Sequence, residues 1–148
     1  MPKTFVLGLV SIFALDRLAK WAAMQYLPLN TPVPVWPPLL FLTHIHNHGA
    51  AFGLFQNQTF FLAASGLAML GVFWWKRAEL LATPLTRWGT AFLIAGDLGN
   101  LYDRLMYGAV IDYFQLPHWP VFNIADMCID LGIILLLWHF WLQRKSSS

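Results

Sequence analysis

Gly96-Asp97-Leu98-Gly99-Asn100-Leu101-Tyr102-Asp103-Arg104, Gly108-Ala109-Val110-Ile111-Asp112-Tyr113-Phe114 and Phe122-Asn123-Ile124-Ala125-Asp126 follow one another in a single stretch of the chain. The stretch holds four of the seven acidic residues of a protein that is only 11% charged. Carboxylates are scarce, so their gathering needs a cause. The first block closes an apolar run of helical length. The second is β-branched and aromatic and reads as a short strand, and the third opens another apolar run. The sequence therefore reads helix, outer strand, helix, with acidic groups where the three meet.

Working outward, the chain has 148 residues, enough for one domain covering 1–148. Hydrophobic residues make up 58% and aromatics 16%, with eight Trp, above the about 45–50% apolar share of soluble proteins. Mean hydropathy is +0.56, which points to lipid as the solvent. A formal charge of +2, thinly scattered, gives no electrostatic footprint for nucleic acid. The one cysteine, Cys128, allows neither an internal disulfide nor a Cys-based zinc cluster and reads as a small buried hydrophobe.

Four segments are long enough to cross a hydrocarbon core of about 30 Å, which takes roughly 17–25 helical residues: approximately 5–24, 59–75, 88–104 and 124–142. The first resembles a secretory signal, because Lys3 precedes an apolar run. It is followed by Asp16-Arg17 rather than a small-residue cleavage site, and is read as a retained span. Lys3, then Lys76, Arg77 and Arg87, then Arg144 and Lys145 fall on one side of such a chain. The positive-inside rule makes that side cytoplasmic, with both termini inside. The expected fold is a mainly α membrane protein of four transmembrane helices.

Two connections then lie outside, 27–58 and 105–121. The first has no charged residue, opens with five prolines that exclude a helix, and continues as a strand over Leu39–His46. With Val110–Phe114 it predicts a small sheet on the outer surface.

Charged groups inside spans mark function or a partner. Asp16 and Lys20 stand i,i+4 and pair on one helical face, with Arg17 pointing elsewhere. Gly96, Asn100, Asp103 and Arg104 form one stripe, expected to hydrogen-bond across a helix contact. Asn123, Asp126 and Asp130 stack on the last segment. Asp112 sits on the outer strand and can be brought opposite Asp126. Two close carboxylates share a proton and can act together as acid and base. By spacing alone, two Asp fourteen positions apart more often solvate loops.

Five motifs carry a resemblance: Asp16-Arg17-Leu18-Ala19-Lys20, Asn47-His48-Gly49-Ala50-Ala51-Phe52-Gly53, Gly99-Asn100-Leu101-Tyr102-Asp103-Arg104, Val110-Ile111-Asp112-Tyr113-Phe114 and Phe122-Asn123-Ile124-Ala125-Asp126. In this order, over nearly the whole chain, they resemble the bacterial lipoprotein signal peptidases, signal peptidase II. The resemblance implies an aspartic endopeptidase of the inner membrane, active on its periplasmic side. It would cut prolipoproteins on the N-terminal side of a diacylglyceryl-modified cysteine. It implies four spans with a periplasmic β-cradle. It makes Asp112 and Asp126 the catalytic pair and Asp16, Lys20, Asn47, Gly49, Asn100, Asp103, Arg104, Asn123 and Ala125 supporting positions. Asn47 and Arg104 would bind substrate backbone, and Asn100 and Asn123 would orient the carboxylates. The chemistry calls for no metal or cofactor, the partners are the lipidated signal peptide and membrane lipid, and nothing requires more than a monomer.

Arg17 replaces the family's commoner Gln, with no expected bearing on catalysis. Asp97 stands where a small residue is more usual, and Tyr113 for Phe is expected to change little. His44, His46 and His48 alternate, as a metal-binding face would, but no carboxylate or thiol completes a set. A proton-coupled transporter with a relay through Asp97, Asp126 and Asp130 is the rival from another class, and the lack of internal repeats argues against it.

Overall fold

The computed structural model describes residues 1–49 and 59–146. The Ala50–Gly53 part of the second motif lies outside them. The described residues form α1 (Lys3–Tyr26), β1 (Val33–Trp36), β2 (Leu40–Asn47), α2 (Thr59–Leu80), α3 (Pro84–Tyr107), β3 (Val110–Gln115) and α4 (Ile124–Ser146). The strands make an antiparallel sheet in the order β1-β2-β3.

Local chemistry sets the helix ends. The Thr83 hydroxyl accepts from Thr86 N–H, and the Thr86 side chain accepts from Thr83 N–H, with Pro84 in the first turn. This reciprocal cap starts α3 before the apolar run begins. Gly108, with φ 70°, stops it in the left-handed region that glycine adopts freely. Each helix outruns its expected span. Apolar windows see the hydrocarbon, whereas helix continues through Lys76, Arg77 and Glu79, which are good helix formers. There the cations lie over indoles, Arg77 4.3 Å from the Trp74 ring centre and Lys76 5.2 Å from that of Trp75, the pattern of a headgroup-level anchor.

β1 is an addition to the expected sheet. Pro34 has no N–H to give and is tolerated because β1 is an edge strand. β3 is the other edge; it pairs Asp112 with Ile45 and Val110 with Asn47 in register.

The distribution of polarity is inverted relative to a water-soluble bundle. Asp16, Lys20, Asn100, Asp103, Asp112 and Asn123 are buried, while Leu7, Leu18, Trp75, Leu137 and many other large apolar side chains face outward. Such an exterior suits lipid. All four helices have at least 22 residues, a length that crosses the core at about 1.5 Å per residue. Among the described residues α4 alone (Ile124–Lys145) is also apolar enough throughout, with a mean hydropathy of 1.7; α1 and α3 carry their polar groups inward.

α3 and α4 pack closely because Gly96 has no side chain: a Cβ there would collide with the Ala125 carbonyl oxygen and meet Ile129 Cγ1 at 2.9 Å. Gly96→Val should therefore push the two helices apart and destabilise the fold by about 1–3 kcal/mol or more. Thermal unfolding in detergent measures this, and an unchanged midpoint would show that the contact carries no weight.

Candidate active site

Four charged side chains sit between α1 and α3. Lys20, 1% exposed, places Nζ 2.7 Å from Asp103 Oδ2 and 3.3 Å from Asp16 Oδ2. Arg17 Nη1 lies 2.6 Å from Asp103 Oδ1 and its Nη2 2.8 Å from Asp16 Oδ2. Two cations match two anions, so the cluster is neutral. The expected Asp16–Lys20 pair forms, but Arg17 does not point away. Consecutive residues diverge around a helix, yet the long guanidinium arm folds back over Phe13 and Tyr102 to reach both carboxylates. The fit needs Gly99, where a Cβ would stand 2.6 Å from Asp16 Oδ2.

The anions also reach beyond the two helices. Asp103 Oδ2 accepts from Ile111 N–H at 3.2 Å, and Asp16 Oδ1 accepts from Ala125 N–H at 3.1 Å. The cluster thus holds β3 and the start of α4. Ala125 is fully buried.

From this base, amides lead to the two carboxylates. Lys20 donates to Asn100 Oδ1 at 2.8 Å. A lysine ammonium only donates, so the Asn100 oxygen must face it and the NH2 must face away. That NH2 donates to Asp126 Oδ1 at 2.7 Å. Asn123 touches both carboxylates. Its Nδ2 donates to Asp112 Oδ1 at 2.6 Å, its Oδ1 accepts from Asp126 N–H at 3.0 Å, and its own N–H donates to Asp126 Oδ2 at 3.2 Å. The last two bonds are a reciprocal cap, so Asp126 also begins α4.

Asn47 donates to Asp112 Oδ2 at 2.8 Å while accepting Gly49 N–H at 2.9 Å, which fixes its amide the same way. Asn47, expected to hold substrate, holds Asp112. Burial and then the Asp126 charge push the Asp112 carboxyl from 3.8 up to about 7, against the two amide donors that favour the anion.

Asp112 and Asp126 open onto one cavity of about 500 Å³ that Asn47, Gly49, Asn100 and Arg104 also line. Arg104 is partly buried, and the charges of Asp126, Asp97, Asp112 and Asp103 act on it. It does not join the expected hydrogen bonds across the helix contact; among the described residues it has no ion-pair partner. Trp119, Phe122, Met127 and Ile129 also line it. Asp130 lines the same cavity but is exposed.

Asp97 lies apart from the cavity lining. It is 6% exposed beside Gly66 of α2, and its Oδ2 has no partner among the described residues. Tyr113 matters more than expected: its hydroxyl accepts from Ile124 N–H at 3.2 Å, and burial pushes the phenol up. Phe would leave that helix-terminal N–H unmatched.

The model of signal peptidase (SPase) II matches residues 9–142. The chain belongs to the signal peptidase II family. It is 39% identical to the lipoprotein signal peptidase of Moorella thermoacetica over 97% of both chains. Identity is 42% to that of Acinetobacter baumannii, covering 94% of this chain and 85% of the relative. Two solved structures, each described as a bacterial membrane enzyme, share the fold. One has a TM-score of 0.91 at 24% identity, over 98% of this chain and 92% of the other. The second has a TM-score of 0.83 at 25% identity, over 93% and 92%. The family is a peptidase family, so the cavity is the place to look for a peptide bond.

Removing Lys20 leaves two buried carboxylates with one cation. Lys20→Met should lower stability by about 3–5 kcal/mol, read as a fall in the unfolding midpoint. Full stability would mean that solvation or proton uptake by a carboxylate, not Lys20, offsets the cluster's negative charge.

Proposed function

We infer that this chain is a membrane-embedded aspartic endopeptidase that removes the signal peptide from diacylglyceryl-modified prolipoproteins. Asp112 and Asp126 are its catalytic pair. The observation that carries the reading is the shared cavity: both carboxylates open onto it, and Asn123 hydrogen-bonds both. The name of the curated relatives supplies the substrate class.

In this reading the chain has four spans, both termini lie in the cytoplasm and the sheet lies at the outer face of the bacterial inner membrane. The basic ends at Arg77, Arg144 and Lys145 support that orientation. The signal helix enters laterally between the helices, with the acyl chains of the modified cysteine left in lipid. That puts the scissile bond over the pair. One carboxylate takes a proton from water, whose oxygen attacks the carbonyl carbon. The partner, still protonated, hydrogen-bonds the carbonyl oxygen as negative charge develops there. The C–N bond then breaks, and the captured proton goes to the departing amine of the cysteine. Arg104, which has no ion-pair partner among the described residues, would hold a substrate carbonyl. A relay through Asp97 fits less well, because Asp97 does not line the cavity.

A gel-shift assay tests the reading with a diacylglyceryl-modified prolipoprotein and its unlipidated counterpart. Asp112→Asn and Asp126→Asn each keep an acceptor oxygen, so both should fold while turnover falls by at least about 10³-fold. Cleavage by either variant, or equal cleavage of the unlipidated form, sinks the assignment.

The pair works with one proton, and Asp112 loses its proton as pH rises through about 7. Activity should therefore fall on the alkaline side of about 7. Asn47→Ala deletes a donor that favours the Asp112 anion, so it should move that fall to higher pH. A shift to lower pH, or none, would separate Asn47 from the titration.

A further inference from the structure

β2 sets two imidazoles side by side at the outer surface. His44 Nε2 and His46 Nε2 are 3.1 Å apart, and the ring centres 5.0 Å. The His44 backbone is pinned: Asn30 N–H donates to its carbonyl at 2.9 Å, and Leu29 bridges to it. His46 is paired with Ile111 of β3.

The two Nε2 atoms are within hydrogen-bond distance of each other, and which one donates depends on the tautomers. An ion in place of that shared proton would meet a lone pair from each ring, and metal-binding histidines commonly commit their other ring nitrogen to a carbonyl or to water.

The spacing fits an ion. Imidazole nitrogens bind transition metals at about 2.0–2.1 Å, so a 3.1 Å separation subtends about 98° at the metal, between the roughly 90° of a cis octahedral pair and the roughly 109° of a tetrahedral one.

We propose that His44 and His46 form a bidentate site for a divalent first-row transition metal, zinc, copper or nickel, on the outer sheet and apart from the peptidase chemistry. Water completes the coordination, since among the described residues no group of three His, Cys, Asp or Glu comes together. Imidazoles without carboxylates disfavour magnesium and calcium. His48, the third of the alternating set, lies past the end of β2, where its Nδ1 is 3.3 Å from the Gly108 carbonyl. It is not a ligand.

The test uses untagged full-length protein in detergent, freed of metal and titrated with Cu²⁺ under electron paramagnetic resonance, with Zn²⁺ calorimetry alongside. One ion per chain should bind with hyperfine structure from two nitrogens. His44→Gln or His46→Gln should each weaken binding by more than the about 10-fold typical of losing even an outer-shell partner. His48→Gln and His118→Gln should bind as the wild type does, and circular dichroism confirms that each variant is folded. Three results would overturn the site: no saturable binding, unchanged binding in the His44→Gln/His46→Gln double variant, or a comparable loss in His48→Gln.

Discussion

Everything in the protein is arranged around a lysine that cannot be left alone. Lys20 is 1% exposed on the first helix, and an ammonium so far from water must find anions at close range. It finds Asp16 and Asp103, and Arg17 restores neutrality. The carboxylates' remaining lone pairs take an N–H from β3 and another from α4. Three helices and a strand are thereby indexed to one point.

The candidate catalytic pair inherits that indexing through amides rather than through direct charge contacts. Polarity runs one way, from the Lys20 ammonium through Asn100 to Asp126, and a reversed amide would set donor against donor. The carboxylates receive only neutral donors, so burial and mutual repulsion keep Asp112 hard to ionise. A cation bonded directly to Asp112 would hold it ionised and remove the shared proton. Keeping the ion cluster one amide away from the pair reconciles rigidity with acid chemistry.

How much of this was legible in the sequence follows from which signals are local. Helices and the two main strands are written in apolar run lengths and β-branching. The meeting of the Asp112 strand with the Asp126 helix follows from their closeness in the chain. Motif resemblance named the amides, but not their direction: Asn47, expected toward substrate, turns to Asp112 because Gly49 N–H claims its oxygen. Arg17 was misjudged because helical spacing describes Cβ positions, not the reach of a long side chain. Tyr113 was undervalued because its partner is a backbone N–H at a helix start, invisible until that start is placed. β1 hid behind its prolines, which exclude helix but not an edge strand.

Asp126 also opens α4, trading hydrogen bonds with the Asn123 backbone and side chain. That double duty acts as a filter on drift. A replacement at this position must carry a carbonyl oxygen that reaches the Asn123 N–H, or the start of the last helix loses that bond. Asparagine, glutamine and glutamate can supply one; alanine and serine cannot. Loss of chemistry at Asp126 is thus separable from loss of architecture, and lineages that abandoned catalysis while keeping the fold would be recognisable by an amide side chain there.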